Sequence, residues 1–204
     1  MKAIARKLDK LQIGEVAWYF SRQLEAVGPS GYLRAGKAAG SFDSRGRFIP
    51  PPKGVVPPGP LGQMVPLGQE IFVHTGRYSP KFAGNALSCE NCHIDAGRLA
   101  YSSPMWAAYV AYRAYRRKSG RVISFAQRLQ DCFKFSMNGR APPRKSKVLL
   151  ALETYSFFLT RGAPTGRTLK GRGYLTLCSA THGMNYDRGR LVFRSYCAVC
   201  HGVN

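Results

Sequence analysis

The sequence predicts an all-α fold, and three observations carry the prediction. Apolar residues recur at helical spacing in separate segments that begin at capping residues and end at Gly or Asn-Gly. No window shows the apolar/polar alternation of a half-buried strand. One five-residue pattern occurs twice, as Cys89-Glu90-Asn91-Cys92-His93 and as Cys197-Ala198-Val199-Cys200-His201.

That pattern, Cys-x-x-Cys-His, is the attachment signature of c-type haem. Two thiols one helical turn apart each add to a vinyl group of the porphyrin, and the adjoining His aims its imidazole at the iron. With 6 Cys and 4 His in 204 residues, composition alone predicts roughly 0.003 matches. Two are not accidental. A tetrahedral zinc site built from two Cys-x-x-Cys pairs needs no His after either. A thioredoxin-like dithiol needs a βαβ setting, and none surrounds these pairs. The motifs therefore predict two sites of haem c, Cys89 and Cys92 with His93, and Cys197 and Cys200 with His201. The expected architecture is a tandem of cytochrome c-like haem domains, the first complete and the second partial, after an irregular Pro/Gly-rich N-terminal segment.

Taken in order, residues 1–28 place Ile4, Leu8, Leu11, Val16, Phe20 and Leu24 among Lys and Arg, an expected amphipathic helix. They contain neither the apolar region nor the small-residue cleavage site of a secretory signal. Residues 29–66, with Pro50-Pro51-Pro52 and Pro57-Pro58-Gly59-Pro60, read as extended, wrapping or flexible chain, so 1–60 is a basic N-terminal segment. Gly68 to Phe72 and Gly189 to Phe193 both read Gly-x-x-aliphatic-Phe, a helix start before each attachment site, and a loop over 75–87 lengthens the first copy. Pro104 opens a helical aromatic stretch from Trp106 to Tyr115, closed by a basic cluster and Gly120. Trp106, Tyr109, Tyr112 and Tyr115 are expected to pack the haem edge and the core. Ser124 caps a helix over 125–138, ended by Asn138-Gly139. Ser146 caps another over 147–161, with Val148, Leu149, Leu152, Tyr155, Phe158 and Leu159 on one broad face. The first haem domain thus spans 61–165, a linker 166–182, and the start of the second 183–204. Three residues follow His201, so the second haem is expected to be incompletely ligated, through truncation, completion by another subunit, or lack of binding.

The composition is 45% hydrophobic and 12% aromatic, which supports a core and excludes a disordered tail. No window approaches the ~18 apolar residues of a membrane-spanning helix. The net charge of +21 suits nucleic acid, anionic membrane, an acidic protein partner or a small anionic substrate. Arg interleaved with aromatics resembles a nucleic-acid surface, but no nucleic-acid motif accompanies it, so the reading is no nucleic acid.

Arg128, Cys132 and Ser136 stand at i, i+4 and i+8 and share one helix face. A thiolate is both an iron ligand and a nucleophile, and nearby cations lower its pKa. Arg116, Arg117, Lys118, Arg121, Lys134 and Arg140 are close in sequence, and such a pocket suits a divalent oxyanion. The alternatives for Cys132 are a buried structural thiol or a disulfide to Cys178. Met137 and His74 are rival iron ligands, the first one residue off the Cys132 face, the second in a loop.

Gly84-Asn85-Ala86-Leu87-Ser88-Cys89, Asn91-Cys92-His93-Ile94-Asp95-Ala96-Gly97, and the run from Arg128 to Gly139 around Cys132 resemble the dihaem thiosulfate dehydrogenases. Arg161-Gly162-Ala163-Pro164 and the second haem motif follow in that family's order. The resemblance implies a periplasmic c-type cytochrome that couples two thiosulfates into tetrathionate. It implies His93 as proximal ligand of the active-site haem, Cys132 as its distal ligand, and Arg128 and Ser136 as lining the thiosulfate site. An acidic redox partner would take the electrons. The competing expectations are a plain electron-transfer cytochrome with Met137 or His74 as ligand, and a partial, inactive gene product.

Overall fold

The computed structural model describes residues 39–176 and 183–198, in two compact units that divide between Tyr174 and Leu175. The helix expected within 1–28 lies outside the described residues, as do Cys178, Cys200 and His201.

The first unit opens with a hairpin, although the sequence shows no strand pattern. Strands β1 (Ser41–Phe42) and β2 (Phe48–Ile49) pair antiparallel. Asp43 makes the turn, its carboxylate accepting the backbone N–H groups of Arg45 at 3.0 Å and Arg47 at 2.8 Å. Residues 39–60 are not a detached segment. Phe48 is buried against Trp106 with ring centroids 5.5 Å apart, and Pro51 and Pro57 are fully buried. Prolines fix an extended backbone at little entropic cost, so the segment wraps the core as a strap.

Helix α1 (Leu61–Val73) buries Val65, Gly68, Ile71 and Phe72. A single turn, α2 (Thr75–Tyr78), follows in the segment expected as a loop. After the attachment motif comes α3 (Met105–Val110), shorter than the aromatic stretch predicts. Its continuation is β3 (Ala114–Arg116), paired antiparallel with β4 (Arg121–Ile123) around Gly120 at φ 60°. The β-branched pair Val122 and Ile123 suits a strand, and Ile123 is buried while Tyr115 is 63% exposed. Tyr115 therefore does not pack the core. Helix α4 (Phe125–Asp131) begins at Ser124 as expected but gives way to a π-helical turn, Cys132–Ser136, instead of running to 138. Helix α5 (Lys147–Leu159) starts where Ser146 accepts the Leu149 N–H at 3.3 Å, and ends two residues short of the predicted 161.

The core lies between α1 and α5. A Cβ on Gly68 would sit 2.1 Å from the Ala151 carbonyl oxygen and 2.6 Å from the Tyr155 Cβ, so the two backbones touch there. Residues 166–174, expected as linker, belong to this unit: Leu169 is buried, and Ser102 bridges to Tyr174. In the second unit α6 (Tyr186–Val192) is capped by Asn185 and runs into a π-helical turn, Phe193–Cys197.

Candidate functional site

The first attachment motif is held from beneath by Thr75. This buried side chain accepts the Cys89 N–H through Oγ1 at 3.1 Å and lies 3.5 Å from the Cys89 Sγ. Asn91 Oδ1 accepts the Ser88 N–H at 2.6 Å, which closes the short turn Cys89–Asn91. Burial pushes the Cys89 thiol up to about 12, against the hydrogen bond from Thr75 that favours the anion. The thiol is neutral.

His93 Nδ1 is 2.7 Å from the Ser103 carbonyl, an acceptor, so Nδ1 carries the proton and Nε2 keeps its lone pair for a metal. Burial lowers the His93 pKa, with the Ser103 contact opposing and Arg128 adding to the burial, a direction that favours the neutral ring a metal would need. Beyond it Asp95, Ala96 and Gly97 hold φ of 58°, 51° and 76° in succession. Left-handed backbone at non-glycine residues persists only where neighbours enforce it. Here Glu90 accepts the Ala96 N–H at 3.1 Å, and the Tyr155 hydroxyl donates to the Ala96 carbonyl at 2.8 Å. Lys53 pairs with Asp95.

The opposite wall is α4 and its π-helical turn. A capping box starts it: Ser124 Oγ accepts the Gln127 N–H at 3.2 Å and Gln127 Oε1 accepts the Ser124 N–H at 2.8 Å. The turn widens where the Met137 N–H donates to the Cys132 carbonyl at 2.9 Å, and such insertions often mark functional sites. The Gly84-Asn85 stretch braces it. Gly84 N–H donates to the Met137 carbonyl at 2.9 Å and Asn85 Nδ2 to the Ser136 carbonyl at 3.1 Å. A Cβ on Gly84 would stand 1.9 Å from the Asn138 carbonyl oxygen, so no larger residue fits.

Between the walls lies a cavity of about 390 Å³. Cys89, Cys92 and His93 line it from one side and Arg128, Cys132 and Ser136 from the other, with Phe72, Leu129, Phe133 and Leu152 as apolar lining. Met137 lines it too and is buried, whereas His74 is exposed at the end of α1 and is not among the lining residues. The sequence reading expects cations to lower the Cys132 pKa. Instead it is raised, because burial outweighs the opposing Arg128. Tyr112, Arg116, Arg172 and Tyr174 also line the cavity. Sequence reasoning gives Arg172 and Tyr174 no role, since they come from the supposed linker; the Gly171 and Gly173 beside them, both at positive φ, were the available signal. Cys197 is a free, partly exposed thiol in the second unit.

The residues fit a covalently attached haem. Cys89 and Cys92 are free thiols on one wall, His93 presents an imidazole with its second nitrogen already engaged, and the surroundings are largely apolar. Residues 77–165 match the family model described as SoxA/TsdA, cytochrome c domain. These residues are similar to that cytochrome c domain. Haem c is the cofactor of such a domain, and Cys89, Cys92 and His93 are the residues that would hold it.

The chain is also similar to the thiosulfate dehydrogenase of Thiomonas intermedia (strain K12), 49% identical over 158 residues, which is 78% of this chain and 50% of that protein. The thiosulfate dehydrogenase of Stutzerimonas stutzeri (strain A1501) is 43% identical over 169 residues, 83% of this chain and 54% of that protein. Among solved structures, the thiosulfate dehydrogenase (TsdBA) of Marichromatium purpuratum in its "as isolated" form superposes with a TM-score of 0.70 at 46% identity, covering 76% of this chain and 35% of that one. The chain spans about half the length of the curated relatives it matches. Among the described residues no helix is long and apolar enough to cross a membrane.

Proposed function

We propose that this SoxA/TsdA cytochrome c oxidises thiosulfate to tetrathionate in the periplasm and passes the electrons to an acidic redox partner. The observation that carries the reading is the convergence of Arg128, Cys132 and Ser136 on the cavity that holds Cys89, Cys92 and His93. Two thiosulfate dianions lose one electron each, and a sulfur–sulfur bond forms between them. Bound haem supplies a one-electron acceptor at this site. The rest falls to the chain. Two dianions about 4 Å apart repel by roughly 16 kcal/mol at an effective dielectric near 20, so cations must face them. Arg128 offers a planar fork to two oxygens, and the Ser136 hydroxyl donates to a third. Cys132, half-buried in the same cavity as His93, would offer its sulfur to the iron as a second protein ligand.

Two haems are expected, the second on Cys197 and Cys200 with His201. A plain electron carrier is the second reading, favoured by Met137, whose buried thioether also lines the cavity. The test uses the full chain matured with c-type haem. Acid–acetone extraction should leave haem on the polypeptide, with a mass gain of two haems. Thiosulfate should reduce an artificial one-electron acceptor, with one tetrathionate formed per two electrons. Loaded protein that thiosulfate does not reduce leaves the carrier reading in place.

A further inference from the structure

Residues 169–174 lie outside the matched domain, yet they form a strap fastened to the haem-attachment side of the cavity. The Tyr101 N–H donates to the Gly171 carbonyl at 2.7 Å and the Ser103 N–H to the Gly173 carbonyl at 2.8 Å. The Tyr174 hydroxyl donates to the Cys92 carbonyl at 3.1 Å. Leu169 is buried, and a Cβ on Gly171 would lie 2.9 Å from the Ala100 Cβ. Tyr101 and Ser103, which donate to the strap, hold φ of 63° and 50°. Such strain at non-glycine residues gathers where a site is over-determined. The Ser103 carbonyl also receives His93 Nδ1–H, so one residue joins the strap to the haem-ligating histidine.

Between these fastenings stands Arg172. This exposed residue lines the cavity together with Arg116 of β3 and Arg128 of α4. Burial raises the Tyr112 phenol pKa, and all three guanidiniums oppose that. The strap is held by its backbone, by Leu169 and by Tyr174. None of those fastenings uses the Arg172 side chain.

We propose that Arg172 is an anion-binding residue of this cavity, set in place by the strap. Its ligand is an oxyanion from one of two sources, a sulfur dianion or a carboxylate of the haem. The first source rests on the thiosulfate reading; the second needs only the haem. Arg suits either, because it is charged at every working pH and presents two parallel donors to an oxyanion. A backbone already fixed at both ends leaves little entropy to lose on binding.

The test compares Arg172→Ala, Arg172→Lys and Lys170→Ala in the full, haem-loaded chain. Lys170 controls for charge: it sits on the same strap, donates to the Arg45 carbonyl at 2.9 Å, and is not a cavity-lining residue. Three quantities are read: KM and kcat for thiosulfate, sulfate binding by calorimetry, and the midpoint potential. If the ligand is the sulfur dianion, Arg172→Ala raises KM and the sulfate Kd roughly tenfold, with kcat within about threefold and the potential unmoved. If it is a haem carboxylate, the potential falls, because a lost cation favours the oxidised form, while KM and sulfate binding hold. Arg172→Lys restores part of the effect in either case. The proposal is overturned if Arg172→Ala matches Lys170→Ala in all three. Wild-type protein that does not turn over thiosulfate overturns the proposed function, while sulfate binding and the potential still decide for Arg172.

Discussion

Cys132→Ala should abolish thiosulfate-dependent reduction of an artificial acceptor while leaving haem on the chain. Attachment would use Cys89 and Cys92 across the cavity, and the bonds of Thr75 to Cys89 and of Asn91 to Ser88 do not involve Cys132. Alanine is a good helix former and leaves the turn's Met137–Cys132 backbone hydrogen bond intact. The folding cost should stay near 1–2 kcal/mol. Turnover should fall by about 10²-fold or more, the usual scale for removing a group that acts directly on the reacting atoms. The ferric absorption spectrum should change with it, since the proposed Cys132 ligand would be lost. In Arg128→Ala the loss should appear mainly in KM, because the role proposed for the guanidinium is to bind oxygens instead of the reacting sulfur. A Cys132→Ala protein with unchanged rate and spectrum would remove this thiol from the site and leave the electron carrier as the better reading.

Gly68→Ala should destabilise the first unit strongly. Its Cβ would meet the Ala151 carbonyl oxygen at 2.1 Å and the Tyr155 Cβ at 2.6 Å, both on a packed helix, so α1 and α5 must move apart. Overpacking of this kind costs about 1–3 kcal/mol or more, and the ~1 kcal/mol gained from replacing a helical glycine does not offset it. Separating the helices also disturbs Tyr155, whose hydroxyl supports the left-handed turn after His93. Gly76→Ala, in α2 with no atom within 4 Å of its new Cβ, should instead be neutral or stabilising. Denaturant midpoints of the haem-loaded proteins separate the two. Equal midpoints for both variants would mean that the α1–α5 crossing is looser than described.

Local chemistry was readable without the fold. The Cys-x-x-Cys-His motif at Cys89–His93 announces the haem c of a cytochrome c domain because the spacing of two thiols and an imidazole along a few residues is the chemistry itself. Ser124 and Ser146 mark helix starts because a capping side chain reaches only two or three residues ahead. Arg128, Cys132 and Ser136 could be placed on one face by counting, and they do line one cavity, even though the π-helical turn alters the winding between them.

Elsewhere the tertiary structure decided. The helix predicted through Tyr115 yields to β3, whose partner β4 lies across a turn and whose pairing no local periodicity shows. Cys132 has a raised pKa because its burial, a property of the whole cavity, outweighs the arginines counted along the chain. Residues 166–174 read as linker because Gly, Arg and Lys dominate them. Their place in the site is set by bonds to residues 70 or more positions away, from Gly171 to Tyr101 and from Tyr174 to Cys92, a separation of 82 in the second case. Spacing along a chain encodes what neighbours in sequence can do together; contacts made only after the core has closed leave no periodic trace in it.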